Sequence, residues 1–127
     1  AAEKEAASAA MKRVRVTFEV SVKDAKPGDK VFVVGGRPEI GKWQIADAVE
    51  LHTSQSIFPR WTVAVDMEMM DNEVFEYKYF LRLSNGHEIQ WENIPNRLHF
   101  GLIGPICKDG EFNRPNECQP GSYVFGH

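Results

Sequence analysis

At 127 residues, 43% of them hydrophobic and 26% charged, the chain has the size for one domain with a real core and the composition of a soluble globular protein. A net charge of −3, with no basic cluster interleaved with aromatics, leaves no electrostatic footprint for nucleic acid. No run approaches the roughly 18 apolar residues of a membrane span, so neither nucleic acid nor membrane is an expected partner.

The first ten residues, AAEKEAASAA, are Ala-rich and lack the apolar stretch of a secretory signal. They are set apart as a linker, an expression remnant or the edge of a larger protein, and the domain is placed at 11–127. From Met11 to Val22 the chain alternates cleanly. Val14, Val16, Phe18, Val20 and Val22 fall on one face, and Arg13, Arg15, Thr17, Glu19 and Ser21 on the other, the signature of a half-buried strand. Lys26-Pro27-Gly28-Asp29 is a turn. Val31 to Val34 is a short apolar strand stopped by Gly35-Gly36.

Two glycines and a proline within Gly36–Trp43 argue against a helix, and a loop closed by a turn at Gly41 is expected. Trp43 ends that loop, either plugging one end of the fold or exposed for use. Ala48–Leu51 is a short strand and 52–58 a polar loop. Pro59-Arg60-Trp61 opens the next strand, with Trp61, Val63, Val65 and Met67 on one face. Heading that stripe, Trp61 is expected in the core. Asp71-Asn72 turns into a hairpin.

The hairpin is FEYKYFLRLSNGHEIQWENIPNR, residues 75–97. Its first strand alternates with period two, and Asn85-Gly86 is a strong hairpin-turn dipeptide because both residues accept positive φ. A two-residue loop there pairs Leu83 with Glu88 and Phe80 with Trp91. Opposite residues share a face, so Trp91, Phe80 and, on the diagonal, Lys78 lie together outside, while Tyr77, Tyr79, Leu81 and Leu83 form the core side. The outward Trp91 is either half-covered, with Lys78 snorkelling past it, or a binding surface. Leu98-His99-Phe100 finishes a strand. Residues 101–120 show no period and read as a long loop, and Ser122–Phe125 as a final edge strand. About seven or eight short strands without an amphipathic helix predict an all-β, immunoglobulin-like antiparallel β-sandwich.

The residues offer little for catalysis. The four histidines lack metal spacing, and no Cys-x-x-Cys is present, so neither a metal nor another cofactor is expected. A phosphate-cradling glycine loop and a Gly-x-Ser-x-Gly elbow are both missing. Six residues separate Cys107 from Arg114, one more than a cysteine-phosphatase loop has. Glu68, Glu73, Glu76, Glu88 and Glu92 could in principle supply paired acids for a small hydrolase, but a chain this size has little room for a deep cleft. Cys107 and Cys118 can form a disulfide, but no wider cysteine framework supports one, and a reducing compartment is the simpler reading.

Binding suits the residues better. An indole offers a flat polarisable face to the C–H face of a glucose ring, and an ammonium, a carboxylate and an amide cover its hydroxyls. The ordered segments Val33-Val34-Gly35 with Ile40-Gly41-Lys42-Trp43, Ala48-Val49-Glu50-Leu51, Pro59-Arg60-Trp61, Phe75-Glu76-Tyr77-Lys78-Tyr79, Trp91-Glu92 and Asn96-Arg97 resemble the starch-binding modules of carbohydrate-binding module family 20, over about residues 13–100. The resemblance implies that Trp43 and Trp91 stack on sugar rings while Lys78, Glu92 and Asn96 bond the hydroxyls. It implies a non-catalytic module that takes α-glucan polysaccharide, maltooligosaccharide or cyclodextrin and is covalently linked to a catalytic domain. The family's second sugar site uses tyrosines. Here Pro27 occupies one of those neighbourhoods and residues 51–60 hold Phe58 but no tyrosine, so a single site is expected.

Arg37–Trp43 further resembles the glycogen-binding segment of laforin-type glucan phosphatases, which implies an intracellular, cytoplasmic protein, with a plastid as the alternative compartment. The competing reading is an immunoglobulin-like protein-interaction module that makes contact through an edge strand or the Trp patch.

Overall fold

The computed structural model describes residues 11–70, 73–85, 88–100 and 106–114. Among these, the strands are β1 (Met11–Ser21), β2 (Lys30–Gly35), β3 (Val49–Glu50), β4 (Arg60–Met70), β5 (Val74–Arg82), β6 (Ile89–Trp91), β7 (Arg97–Phe100) and β8 (Ile106–Glu111). They form two sheets. One has the order β4-β1-β8; the other has the order β3-β2-β5-β6, with β7 also pairing to β5. The expected immunoglobulin-like sandwich is therefore present.

The alternation of β1 decides the packing. Val16, Phe18, Val20 and Val22 are buried, and β1 pairs with β4 along its whole length, from Met11 opposite Met70 to Ser21 opposite Arg60. The outward residues make exposed ion pairs such as Arg15–Asp66 at 2.9 Å, which contribute little to stability. Inward, Phe18 meets Tyr77 of the second sheet edge-on, with ring centroids 5.2 Å apart. Tyr79, Leu81, Val31 and Val33 complete that side of the core. Trp61, 8% exposed, lies in the same cluster, as its place at the head of an apolar stripe predicts.

The hairpin register is the predicted one. Phe80 pairs with Trp91, Leu81 with Gln90 and Arg82 with Ile89, and the Leu83 N–H donates to the Glu88 carbonyl at 2.8 Å. Residues 86 and 87 of its turn, the 71–72 turn and the proposed strand at 122–125 lie outside the described residues.

Two expectations need correction. Residues 36–43, expected as a loop closed by a turn at Gly41, do turn at Gly41, which takes φ +89°, but Pro38–Trp43 forms a pair of 3-10 turns rather than plain loop. Ile40 is fully buried and pins this segment to the core. A Cβ at Gly41 would stand 2.8 Å from the Asp47 carbonyl oxygen, so only glycine fits there. The second correction concerns 101–120, expected to be loop. β8 lies within it, and it runs parallel to β1, so the sandwich is not purely antiparallel. Among its described side chains Asp109 is buried, and its carboxylate accepts the hydroxyls of Tyr77 and Tyr79 at 2.7 Å each. A strand anchored by a buried acid leaves no apolar alternation to read. The outer face of the second sheet carries apolar residues as well, in keeping with the expected Phe80–Trp91 pairing. Phe80 is fully buried there among Phe32, Val34, Ala48 and Ile89.

Candidate functional site

That outer face carries the candidate site. Along β5, Glu76, Lys78 and Phe80 project outward in succession, spanning about 13 Å from first to last Cα at the rise of an extended strand. At one end Trp91, 37% exposed, leans on Phe80 with centroids 4.9 Å apart. Phe80 in turn stacks on Phe32 at 5.1 Å and 9°, and the Arg82 guanidinium lies 5.1 Å from the Phe32 centroid. The exposed indole thus stands on a packed aromatic floor, which limits its rotamers before any ligand arrives.

Trp43 marks the other end, 38% exposed. It follows Lys42, and both adopt left-handed backbone, at φ 65° and 50°. Side chains other than glycine reach that region at a cost of order 1–3 kcal/mol, which the surrounding structure must offset. Arg37 ties the start of the segment to the first sheet. It pairs with Glu39 at 3.2 Å and with Glu73, and it donates to the Glu68 carbonyl. Glu39 accepts the Glu68 N–H at 3.1 Å. Burial pushes the Glu39 carboxyl up, but the Glu68 hydrogen bond and Arg37 outweigh it, and the group sits below its usual range. The Trp43 indole nitrogen would be 3.6 Å from a Cβ built on Gly36. The ring borders a shallow depression of about 350 Å³ shared with Gly36, Phe75, Glu76 and Leu98.

Glu76 connects that depression to Asn96, whose amide donates to it at 2.9 Å. Asn96 is exposed and Lys78 half-buried. Trp43, Asn96, Lys78 and Trp91 are thus strung along one face. Sequence reasoning missed Glu76 as a member, although its outward alternation with Lys78 could have pointed to it.

Glu92 does not join them. Expected to face sugar hydroxyls, it is 2% exposed, and both carboxylate oxygens are engaged. One accepts the Tyr79 N–H and Arg97 Nε, both at 3.1 Å; the other accepts an Arg97 guanidinium nitrogen at 2.5 Å and the Asn113 N–H at 3.1 Å. The reason is strand alternation. If Trp91 faces out, Glu92 must face in. Burial works against the Arg97 charge, yet its hydrogen bond to Glu92 and the Glu92 and Asp109 charges outweigh that and raise its pKa above the ordinary value. Away from this face, Phe58 is 46% exposed and borders a groove of about 700 Å³ with Pro27 and Thr53. Among the described residues no group of three His, Cys, Asp or Glu could hold a metal ion, and no helix is long and apolar enough to cross a membrane.

This β-sandwich exposes two indoles, Trp91 on the outer face of the second sheet and Trp43 beside the outward Glu76 of that face. The starch binding domain family matches residues 13–99. The chain belongs to that family, carbohydrate-binding module family 20, and is a non-catalytic module that binds α-glucans. It is 34% identical over 87 residues to glucoamylase-1 of Arthroderma benhamiae, a match covering 65% of this chain and 14% of that one. Over 52 residues it is 46% identical to an α-amylase of Thermomonospora curvata, covering 41% and 8%. The chain therefore spans only a small part of these curated relatives. Among solved structures, the family 20 module of a maltotetraose-forming amylase from Pseudomonas saccharophila superposes with a TM-score of 0.61 at 28% identity. That match covers 78% of this chain and all of that one.

Proposed function

We propose that Trp43, Lys78, Trp91 and Asn96 form one binding site for an α-glucan chain, with Glu76 orienting the Asn96 amide. The observation that carries the reading is the pair of indoles, 38% and 37% exposed, each held at the surface by a rigid support on the same face. Stacking on sugar C–H faces is the use that offsets such exposure, and Lys78 and Asn96 supply a donor and an acceptor for hydroxyls between the rings. A shallow site of this kind gives modest affinity, which suits a module that holds an attached enzyme on its polysaccharide.

The attached enzyme is proposed to act on starch or glycogen. The relatives named above are amylolytic. A lean towards an intracellular, laforin-type glucan phosphatase rests on the Arg37–Trp43 segment, and the residues flanking this chain in the full-length protein decide between the two. The site itself is tested by titrating β-cyclodextrin while following Trp fluorescence, with retention on granular starch alongside. A saturable change in emission together with retention is expected. Neither one occurring would overturn the reading in favour of a protein-interaction module.

A further inference from the structure

The loop between β6 and β7 runs from Trp91, the last residue of β6, past Asn96, and it has little regular structure of its own. What holds it comes from the opposite sheet. The Asn113 side-chain carbonyl accepts the Asn93 N–H at 2.7 Å, and the Asn113 N–H donates to buried Glu92 at 3.1 Å. Arg97, at the far end of the loop, pairs with Glu92 and also donates to the Glu111 and Arg114 carbonyls at 3.1 Å each. Asp109 lies 3.7 Å from the same guanidinium. The two ends of the loop are thus joined to each other by one buried ion pair and to residues 109–114 by five polar contacts. Asn113 adopts left-handed backbone at φ 69°, a conformation that aspartate, asparagine and glycine tolerate best.

Resting on the glucan site proposed above, we propose that Asn113 and the turn after β8 act as a clamp that sets the separation of Trp91 and Asn96 before sugar binds. Asn113 is a positioning residue: it acts through Asn93 and Glu92 rather than on the ligand. The clamp lies beyond the region that the family match covers, 13–99. A loop ordered in advance loses less freedom on binding, and the affinity gained comes from that saving rather than from new contacts.

Asn113→Gly isolates the effect. Glycine keeps the positive φ and the backbone N–H to Glu92, and removes only the acceptor for Asn93. Asn113→Asp restores an acceptor at the same place. Hydrogen exchange without ligand should speed up across residues 91–97 in Asn113→Gly and return towards the parent rate in Asn113→Asp. The dissociation constant for β-cyclodextrin should rise roughly three- to tenfold in Asn113→Gly, the scale of one net hydrogen bond, with melting lowered by no more than about 5 °C. In a Trp91→Ala background the same substitution should have no further effect on affinity. A purely structural residue would weaken binding equally in both backgrounds, and that result overturns the clamp. So does unchanged exchange, or unchanged affinity where the parent chain binds normally. Failure of the parent chain to bind cyclodextrin at all instead removes the proposed site, and the clamp with it.

Discussion

The rings of Trp91 and Phe80 lie 4.9 Å apart, tilted at 47°, one half-exposed and the other fully buried. Cross-strand pairing makes them neighbours, so a fold-stabilising aromatic is the floor under the proposed binding surface. Truncating the upper ring should therefore affect ligand far more than fold.

Trp91→Ala and Trp43→Ala should each weaken glucan binding by about 1–3 kcal/mol, taking base–aromatic stacking as the scale for sugar stacking. Each variant should lose well under the roughly 3–5 kcal/mol of a core aromatic deletion, because both indoles are more than a third exposed. Calorimetry with cyclodextrin and melting curves measure the two quantities separately. The double variant should not bind. Residual binding by a folded double variant would point to the Phe58 groove as a second site.

Trp61→Ala should behave in the opposite way. Trp61 is a core residue facing Val20 across the β1–β4 pair, and removing it should cost roughly 3–5 kcal/mol. Denaturant unfolding checks this. Normal stability combined with lost glucan binding would mean that the wrong tryptophan has been placed in the core.

Glu92→Ala should destabilise the domain by about 3–5 kcal/mol, because it strands a buried guanidinium. Its effect on a retained fold should be larger than that of any exposed carboxylate, Glu76 included. A Glu92→Ala variant that melts like the parent chain but no longer binds would restore Glu92 as a direct sugar ligand.

Stability should also fall on mild acidification. Burial against Phe75, whose ring centroid is 4.9 Å from that of His99, holds the His99 imidazole below its ordinary value of 6.5. In the unfolded chain His99 takes a proton as pH falls through about 6.5, while in the fold it stays neutral until lower pH. The unfolded state therefore binds more protons in that window and stability drops. Replacing His99 with Phe, which can keep the stack, should flatten unfolding free energy between about pH 6.5 and the folded value. An unchanged slope would assign the pH dependence to other groups.

Much of this protein is legible in local pattern. The period-two runs of β1, β4 and β5 have one apolar face each, so their inward residues follow directly, Trp61 among them. Asn85-Gly86 allows a two-residue turn, and from that turn alone the pairing of Phe80 with Trp91 follows. Alternation across Trp91 and Glu92 also sends the glutamate inward, against what the family resemblance implies for it. Other features have no local signature. β8 is held by Asp109 under two tyrosine hydroxyls, a buried polar contact between residues some thirty positions apart, so hydrophobic periodicity passes over it. The segment that carries the left-handed Lys42 and Trp43 is tied down by Arg37, at its start, which reaches across to Glu68 and Glu73. Whether Phe80 is exposed or buried depends on Phe32, which arrives from another strand to cover it. Local sequence determines which way a strand residue points, because the pleat allows only two directions. What covers that residue, and which distant charge or hydroxyl makes a polar one tolerable inside, is decided only when the two sheets close.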